Sequence, residues 1–255
     1  MACNILILGG TTEARELAAR LGGEPDYRIS LSLAGRTANP VAQPVPVRVG
    51  GFGGAAGLAA HLLAEKIDLL VDATHPFAAR ISANAAAACR QTDVPLLALR
   101  RPPWQRTEND RWSEADTIAD ALQALGTMPR RVLVTLGRQE LAPLEAFPHH
   151  GYVIRSVDPV HPAPDLPDAS YLLSRGPFAQ EAERQLMLDH RIDAVLSKNS
   201  GGAATYGKIT AARDLRIEVV LVRRPVMPDV HSVATVEEAA AEIAHRAISL
   251  AKRGV

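Results

Sequence analysis

The sequence predicts an α/β protein made of two three-layer αβα domains, each a parallel sheet with helices on both faces. Three observations predict it. Short continuous apolar runs alternate with longer helical stretches, as strands buried on both faces and joined by helices do. The alternation is interrupted at Arg100-Arg101-Pro102-Pro103-Trp104-Gln105 and then resumes. The 255 residues suffice for two domains, and 47% apolar against 22% charged residues is the balance of a globular chain. The boundaries that follow are 1–101 for the first domain, 102–112 for a Pro-rich and polar linker, and 113–255 for the second domain. The final helix can pack on either.

In the first half the expected strands are Ile5–Leu8, Ile29–Leu33, Val45–Val49, Leu69–Val71 and Leu96–Leu99. Helices Thr12–Leu21, Ala55–Ala64 and Phe77–Cys89 lie between them. In the second half the strands are Val132–Thr135, Tyr152–Arg155, Tyr171–Leu173, Ala194–Ser197 and Val219–Val222. Its helices are Glu114–Leu125, Arg138–Ala146, Phe178–Asp189, Ala204–Leu215 and Val236–Ala251. The halves share a βα rhythm without an obvious sequence echo.

Composition excludes several function classes. The formal net charge is zero, so the whole chain has no electrostatic grip on nucleic acid or an anionic membrane. Cys3 and Cys89 are too few for a disulfide framework or a thiolate zinc site and read as buried free thiols. His149, His150 and His161 sit in Pro-rich loops without a carboxylate at ligand spacing, so they read as solvated and no metal is expected. No apolar run reaches the roughly 20 residues of a membrane helix. The start of the chain lacks the basic segment of a secretory signal, and the expected location is cytoplasmic. Nucleophile-elbow, P-loop and zincin motifs are absent.

Ligands of open α/β sheets bind beyond the carboxyl ends of the strands. After the first strand, Gly9-Gly10-Thr11-Thr12-Glu13 suits a phosphate held by backbone N–H groups at a helix N-terminus. A tight turn with a Thr cap uses the same residues. After the second strand come Arg36 and Thr37, with no acidic residue between Tyr27 and Val49. An NAD-binding domain often places Asp or Glu about 20 residues past the glycines. Arg and a hydroxyl suit the 2′-phosphate of NADPH instead. Gly50-Gly51-Phe52-Gly53-Gly54 follows the third strand, where Gly51 and Gly53 let backbone approach a ligand. Thr74 and His75 follow the fourth, with Pro76 in the first turn of the next helix. In the second half Arg138, Arg155, Arg175 and Lys198 each stand at a strand end, and Asn199-Ser200-Gly201-Gly202 and Lys208 follow. Four cations on one sheet edge suit a ligand with several carboxylates or phosphates.

These motifs resemble a known family. Ile5–Ala14 (ILILGGTTEA), Val49–Gly54 (VGGFGG), Asp72–Ala78 (DATHPFA), Ser174–Phe178 (SRGPF), Ser197–Gly202 (SKNSGG) and Lys208–Arg213 (KITAAR) are similar to the precorrin-6A reductases of cobalamin biosynthesis, over nearly the whole of Ile5–Arg224. The resemblance implies two Rossmann-like or flavodoxin-like domains with an active site in the cleft between them. It implies that NADPH reduces the C18=C19 double bond of precorrin-6A, or of its cobalt-bearing analogue, to give precorrin-6B. Gly9, Gly10, Thr11, Thr12, Glu13, Arg36, Thr37, Gly51, Gly53, Thr74 and His75 would hold the cofactor. Arg138, Arg155, Arg175, Lys198, Asn199, Ser200, Gly201, Gly202 and Lys208 would meet a tetrapyrrole polycarboxylate. The proton comes from His75, Lys198, solvent or the substrate's own tautomerism. Product hand-over to neighbouring enzymes of the pathway fits the same picture. Two other readings stay open at this point: another NAD(P)H-dependent reductase of a small anion, and a two-domain anion sensor without turnover.

Overall fold

The computed structural model describes residues 2–35 and 41–253, with 247–253 described by backbone alone. The chain forms two compact units, residues 1–102 with 225–255 and residues 103–224.

The first unit is a six-stranded parallel sheet of β1 (Cys3–Leu8), β2 (Tyr27–Leu33), β3 (Val47–Val49), β4 (Leu69–Asp72), β5 (Leu96–Leu99) and β12 (Ser232–Val233), in the order β12-β5-β4-β1-β2-β3. Strand β1 is central, and its side chains alternate between two layers. Ile5 and Ile7 pack with Leu17 and Leu21 of α1 (Thr12–Leu21) and with Val236 and Ile243 of α7 (Val236–Arg253). Leu6 and Leu8 pack with Leu58 and Leu62 of α2 (Ala55–Ala64) and with Ala85 and Ala88 of α3 (Ala79–Thr92). Both faces are covered, which is why the strand reads as an unbroken apolar run. The apolar stripe of α7 completes the α1 layer, and this places the C-terminal segment in the first unit.

The second unit has a parallel sheet of β6 (Trp112–Ala115), β7 (Arg131–Val134), β8 (Gly151–Ser156), β9 (Ala169–Leu173), β10 (Ala194–Lys198) and β11 (Glu218–Val222), in the order β6-β11-β10-β7-β8-β9. Helices α5 (Gln180–Asp189) and α6 (Gly207–Asp214) cover one face, through Met187, Ile209, Ala211 and Ala212. Helix α4 (Ile118–Ala124) packs against β6 and β11. The two sheets share one winding pattern. In each, two strands lie to one side of the first-wound strand and three to the other. The outermost of those three comes from the end of the chain in the first unit and from the start of the segment in the second.

Several expectations are corrected. Residues 102–112 do not form a free linker: the indoles of Trp104 and Trp112 are buried in the second unit's core, and Trp104 N donates to Asn199 Oδ1 at 2.8 Å. The second unit therefore begins at Pro103 and ends at Arg224, ahead of the expected close at 255. The expected helix from Glu114 begins later, because Trp112–Ala115 is an edge strand. The helix opens at Thr117, whose hydroxyl accepts from Asp120 N at 3.0 Å while the Asp120 carboxylate accepts from Thr117 N at 3.2 Å. The expected helix Arg138–Ala146 is two 3-10 turns, Arg138–Glu140 and Ala142–Ala146, because Pro143 has no N–H for a continuing α-helix. Helix α3 starts at Ala79, so Pro76 precedes it. His150 is not solvated: it is 1% exposed, with its ring centroid 4.1 Å from that of His149. Among the described residues no helix is long and apolar enough to cross a membrane, and no group of three His, Cys, Asp or Glu could hold a metal ion.

Candidate functional site

In the first sheet the strand order reverses between β1 and β4, and the residues beyond those strands form one constellation. A Cβ on Gly9 would stand 2.7 Å from Leu31 Cδ1, so any other residue there would push the Leu31 side chain aside. Gly10 has φ +111° and nothing within 4 Å of a would-be Cβ, which leaves its backbone open to a ligand. Thr11 caps α1: its Oγ1 accepts from Ala14 N at 3.1 Å and donates to Ala73 O at 2.8 Å. That second bond ties the turn after β1 to the end of β4. Thr12, the first helical residue, is exposed at the positive end of the helix. The carboxylate of Glu13 is held by Arg101 at 2.6 Å, so its place in the expected cofactor set is shared with a structural ion pair.

Beyond β4, buried Asp72 accepts from Thr74 Oγ1 at 2.6 Å and from Thr74 N at 3.2 Å. Thr74 is thereby fixed. His75 Nδ1 accepts from Phe77 N at 3.2 Å, which assigns the proton of the neutral ring to Nε2. The ring is half-buried and 5.8 Å from that of Phe77.

Beyond β3, Gly50, Gly53 and Gly54 all have positive φ, and a Cβ on Gly50, Gly51, Gly53 or Gly54 would meet open space. A residue that the sequence reading missed organises this loop. Arg48 donates to Gly50 O at 2.5 Å and Gly51 O at 2.7 Å, and its guanidinium lies 3.9 Å from the Phe52 ring centroid. Its signal was a lone cation inside an apolar three-residue strand that leads into four glycines. Arg36 and Thr37 lie outside the described residues.

In the second sheet the order reverses between β7 and β10. Thr135 Oγ1 donates to Ser197 Oγ at 2.8 Å across the two strand ends. Lys198 Nζ donates to both oxygens of Glu140, which also accepts from Gly137 N at 3.0 Å. Arg138 donates to Pro159 O at 3.2 Å and lies 3.6 Å from Asp158 Oδ2. Asn199 is buried, bonded to the backbone of Trp104 in both directions. Arg224 donates to the carbonyls of Asn199 and Ser200, each at 2.9 Å, while Gly201 has φ +72°. Lys198, Asn199, Ser200, Gly201, Gly202 and Arg138 thus share the switch point. Arg175 is exposed beyond β9, further along the sheet edge.

Two expected substrate cations are elsewhere. Arg155 does not stand past a strand end, because β8 runs on to Ser156. Its position matches that of Val153 in the alternation, so it faces α5. It is 6% exposed, pairs with Glu183 through both nitrogens and lies 3.9 Å from the Phe178 ring centroid. Lys208, 4% exposed, donates to Thr205 O at 2.8 Å, with its ammonium 4.9 Å from the Trp104 ring centroid. Burial pushes its amine down to about 7; Arg155 adds to the fall and Glu183 opposes it. Both side chains belong to the interior, where Lys208 holds the carbonyl of Thr205 and Arg155 is tied to Glu183.

The family model described as "Precorrin-6x reductase CbiJ/CobK" matches residues 4–244. The chain belongs to the precorrin-6x reductase family. It is therefore a reductase. A Sinorhizobium protein named precorrin-6A reductase is 56% identical over 241 residues, covering 94% of this chain and 92% of the relative. One from Rhodobacter capsulatus, of the same name, is 46% identical over 233 residues, covering 91% and 92%. A solved structure titled CobK precorrin-6A reductase superimposes with a TM-score of 0.92 at 44% identity, over 95% of this chain and 96% of that one. As precorrin-6x reductases are enzymes of reduction, the glycine turns of the first unit and the charged strand ends of the second take on distinct expected tasks.

Proposed function

We propose that the chain reduces the C18=C19 bond of precorrin-6A with NADPH to give precorrin-6B, a step of cobalamin biosynthesis in the cytoplasm. The observation that carries this reading is the first sheet's winding order, with Gly10 open at the switch point and Thr11 capping the helix that starts there. The residues fit a dinucleotide. Gly9, Gly10, Thr11 and Thr12 would hold its diphosphate by backbone N–H groups and hydroxyls. Gly51 and Gly53 would let backbone approach the adenosine side, and Arg36 with Thr37 would select the 2′-phosphate. Glu13 would act there only through Arg101.

NADPH, when bound, supplies the hydride. The chain's own residues position and neutralise. Thr74, fixed by Asp72, and the Nε2–H of His75 would orient the carboxamide side of the cofactor or donate to the substrate. Lys198, with Arg138, Arg175 and the Asn199–Gly202 loop, would meet the substrate's carboxylates. Lys198 and His75 are the two side chains this reading assigns to proton delivery, and Glu140, which accepts from Lys198 Nζ, would orient it.

The test is a spectrophotometric assay with purified precorrin-6A, in metal-free and cobalt-bearing forms, following cofactor oxidation together with the pigment's spectral change. Turnover with the metal-free pigment and NADPH is expected. A chain that oxidises NADPH only with a small unrelated acid, or binds the pigment without turnover, would overturn the reading. Arg36→Ala should weaken NADPH far more than NADH; equal losses would remove Arg36 from the 2′-phosphate.

A further inference from the structure

Asp72 closes β4 at the switch point of the first sheet, in register with Leu8 of β1 and Ala98 of β5. It alternates with Val71 and shares the face of Leu70, towards α2 and α3. Its carboxylate is 3% exposed and forms no ion pair with any described residue. Oδ1 takes both donors of Thr74, the N–H and the hydroxyl. Oδ2 has no donor among the described residues, and it is not sealed from the surface. A carboxylate so deep in a protein ordinarily has both oxygens met.

The Thr74 hydroxyl spends its only hydrogen on Asp72, so towards anything else it can only accept. Ser82 Oγ, 3.4 Å away on α3, meets one of its lone pairs. The other has no partner among the described residues. The segment is fixed in place, because Ala73 donates to Leu8 O at 3.0 Å and accepts from Thr11 Oγ1 at 2.8 Å. Asp72 Oδ2 and Thr74 Oγ1 thus offer acceptors and no hydrogen, one residue to either side of the carbonyl that anchors the start of α1. A phosphate oxygen only accepts and finds no partner in them. A hydroxyl brings one hydrogen and lone pairs of its own. A primary amide nitrogen brings two hydrogens and no lone pair, and so matches two acceptors.

We propose that Asp72 and Thr74 together take the carboxamide N–H₂ group of the nicotinamide, and so fix which way the amide of that ring points. This rests on the functional reading above and adds to it Asp72, a specificity residue outside the cofactor set that the sequence suggests.

The experiment measures dissociation constants by titration calorimetry for three ligands. They are NADP⁺, its 3-acetylpyridine analogue, which has a methyl group in place of the amide nitrogen, and adenosine 2′,5′-bisphosphate, which has no nicotinamide half. The proteins are the wild-type chain, Asp72→Asn and Thr74→Val, both close to the native shape. Wild type should prefer NADP⁺ to the analogue by about tenfold or more, the worth of a hydrogen bond to a charged group. In Asp72→Asn, whose oxygen stays with Thr74 and whose own N–H₂ then faces the ligand, that preference should vanish. In Thr74→Val it should fall severalfold. Bisphosphate affinity should stay within about twofold of wild type in both variants, which also reports intact folding. Should Asp72→Asn not fold, Thr74→Val and the wild-type preference decide alone.

A wild type that binds the two dinucleotides alike would overturn the inference. So would variants that weaken both dinucleotides equally, since the pair would then hold ribose hydroxyls, and variants that weaken the bisphosphate as well, since the pair would then only shape the turn. The functional reading fails separately. A chain that discriminates as expected but leaves precorrin-6A unreduced would sink that reading and keep the amide contact; a chain that binds no NADP⁺ would sink both.

Discussion

The Thr11 hydroxyl reaches across from the turn after β1 to the carbonyl of Ala73 after β4, at 2.8 Å, while accepting the Ala14 N–H. One side chain thus caps the helix and fixes the spacing of the two strand ends at the switch point. Thr11→Val keeps the shape and loses both bonds. It should cost about 1 kcal/mol in urea unfolding without cofactor, the usual worth of an N-cap, and weaken NADP⁺ as well. Thr12→Ala, at the exposed neighbouring position, should weaken NADP⁺ with little change in stability. If both variants lower stability equally, Thr11 is not the residue that organises the turn.

Lys198 and Glu140 form the corresponding pair in the second sheet. Glu140 offsets the charge that a substrate carboxylate would meet. Glu140→Gln should therefore tighten the acidic pigment severalfold, whereas Lys198→Glu should weaken it by about tenfold or more. Titration of NADP⁺ should be little changed in either. A collapse of cofactor affinity in Lys198→Glu would put this lysine in the cofactor's subsite.

Much of this was legible in the sequence, for identifiable reasons. Strands such as β1 and β10 are buried on both faces and read as apolar runs. Glycines in positive-φ turns and a Thr at a helix start are local signals, and Gly10 and Thr11 carry them. The misreadings lie where local signal and tertiary placement part. Trp112–Ala115 is a four-residue edge strand in which only Trp112 and Ala115 are buried, so its Ser and Glu disguised it. Arg155 looked like a strand-end cation because nothing local says that β8 continues through it. Two interior charges, Arg155 and Lys208, became visible only with the helix that carries Glu183 above them. Residues 225–255 return to the first unit through pairing of β12 with β5, two residues long and too short to read.

The Arg155–Glu183 pair is buried on both sides, at 4% and 2% side-chain exposure. Removing one partner strands the other charge in the interior. Glu183→Ala should destabilise the protein by about 3–5 kcal/mol, and Arg155→Met combined with Glu183→Leu should restore much of that loss. Folded material of the double variant should keep the pigment KM near that of wild type. A large KM rise in it, with stability restored, would return Arg155 to the substrate contacts.

Lys208 gives the pH dependence a definite sign. Its amine falls from 10.5 to about 7 on folding, burial being the main cause. Between those values the unfolded chain binds a proton that the folded chain does not, so this group makes stability rise with pH from about 7 upward. Below about 7 the ammonium is charged in both states and its contribution levels off at the lower value. Lys208→Met deletes the titration and leaves Arg155 and Glu183 matched. The gain in unfolding free energy of Lys208→Met over wild type should be larger near pH 6 than near pH 9, as measured by denaturant unfolding at about those two pH values. A difference that is constant across the range, or larger at the alkaline end, would mean that the buried amine keeps its proton on folding.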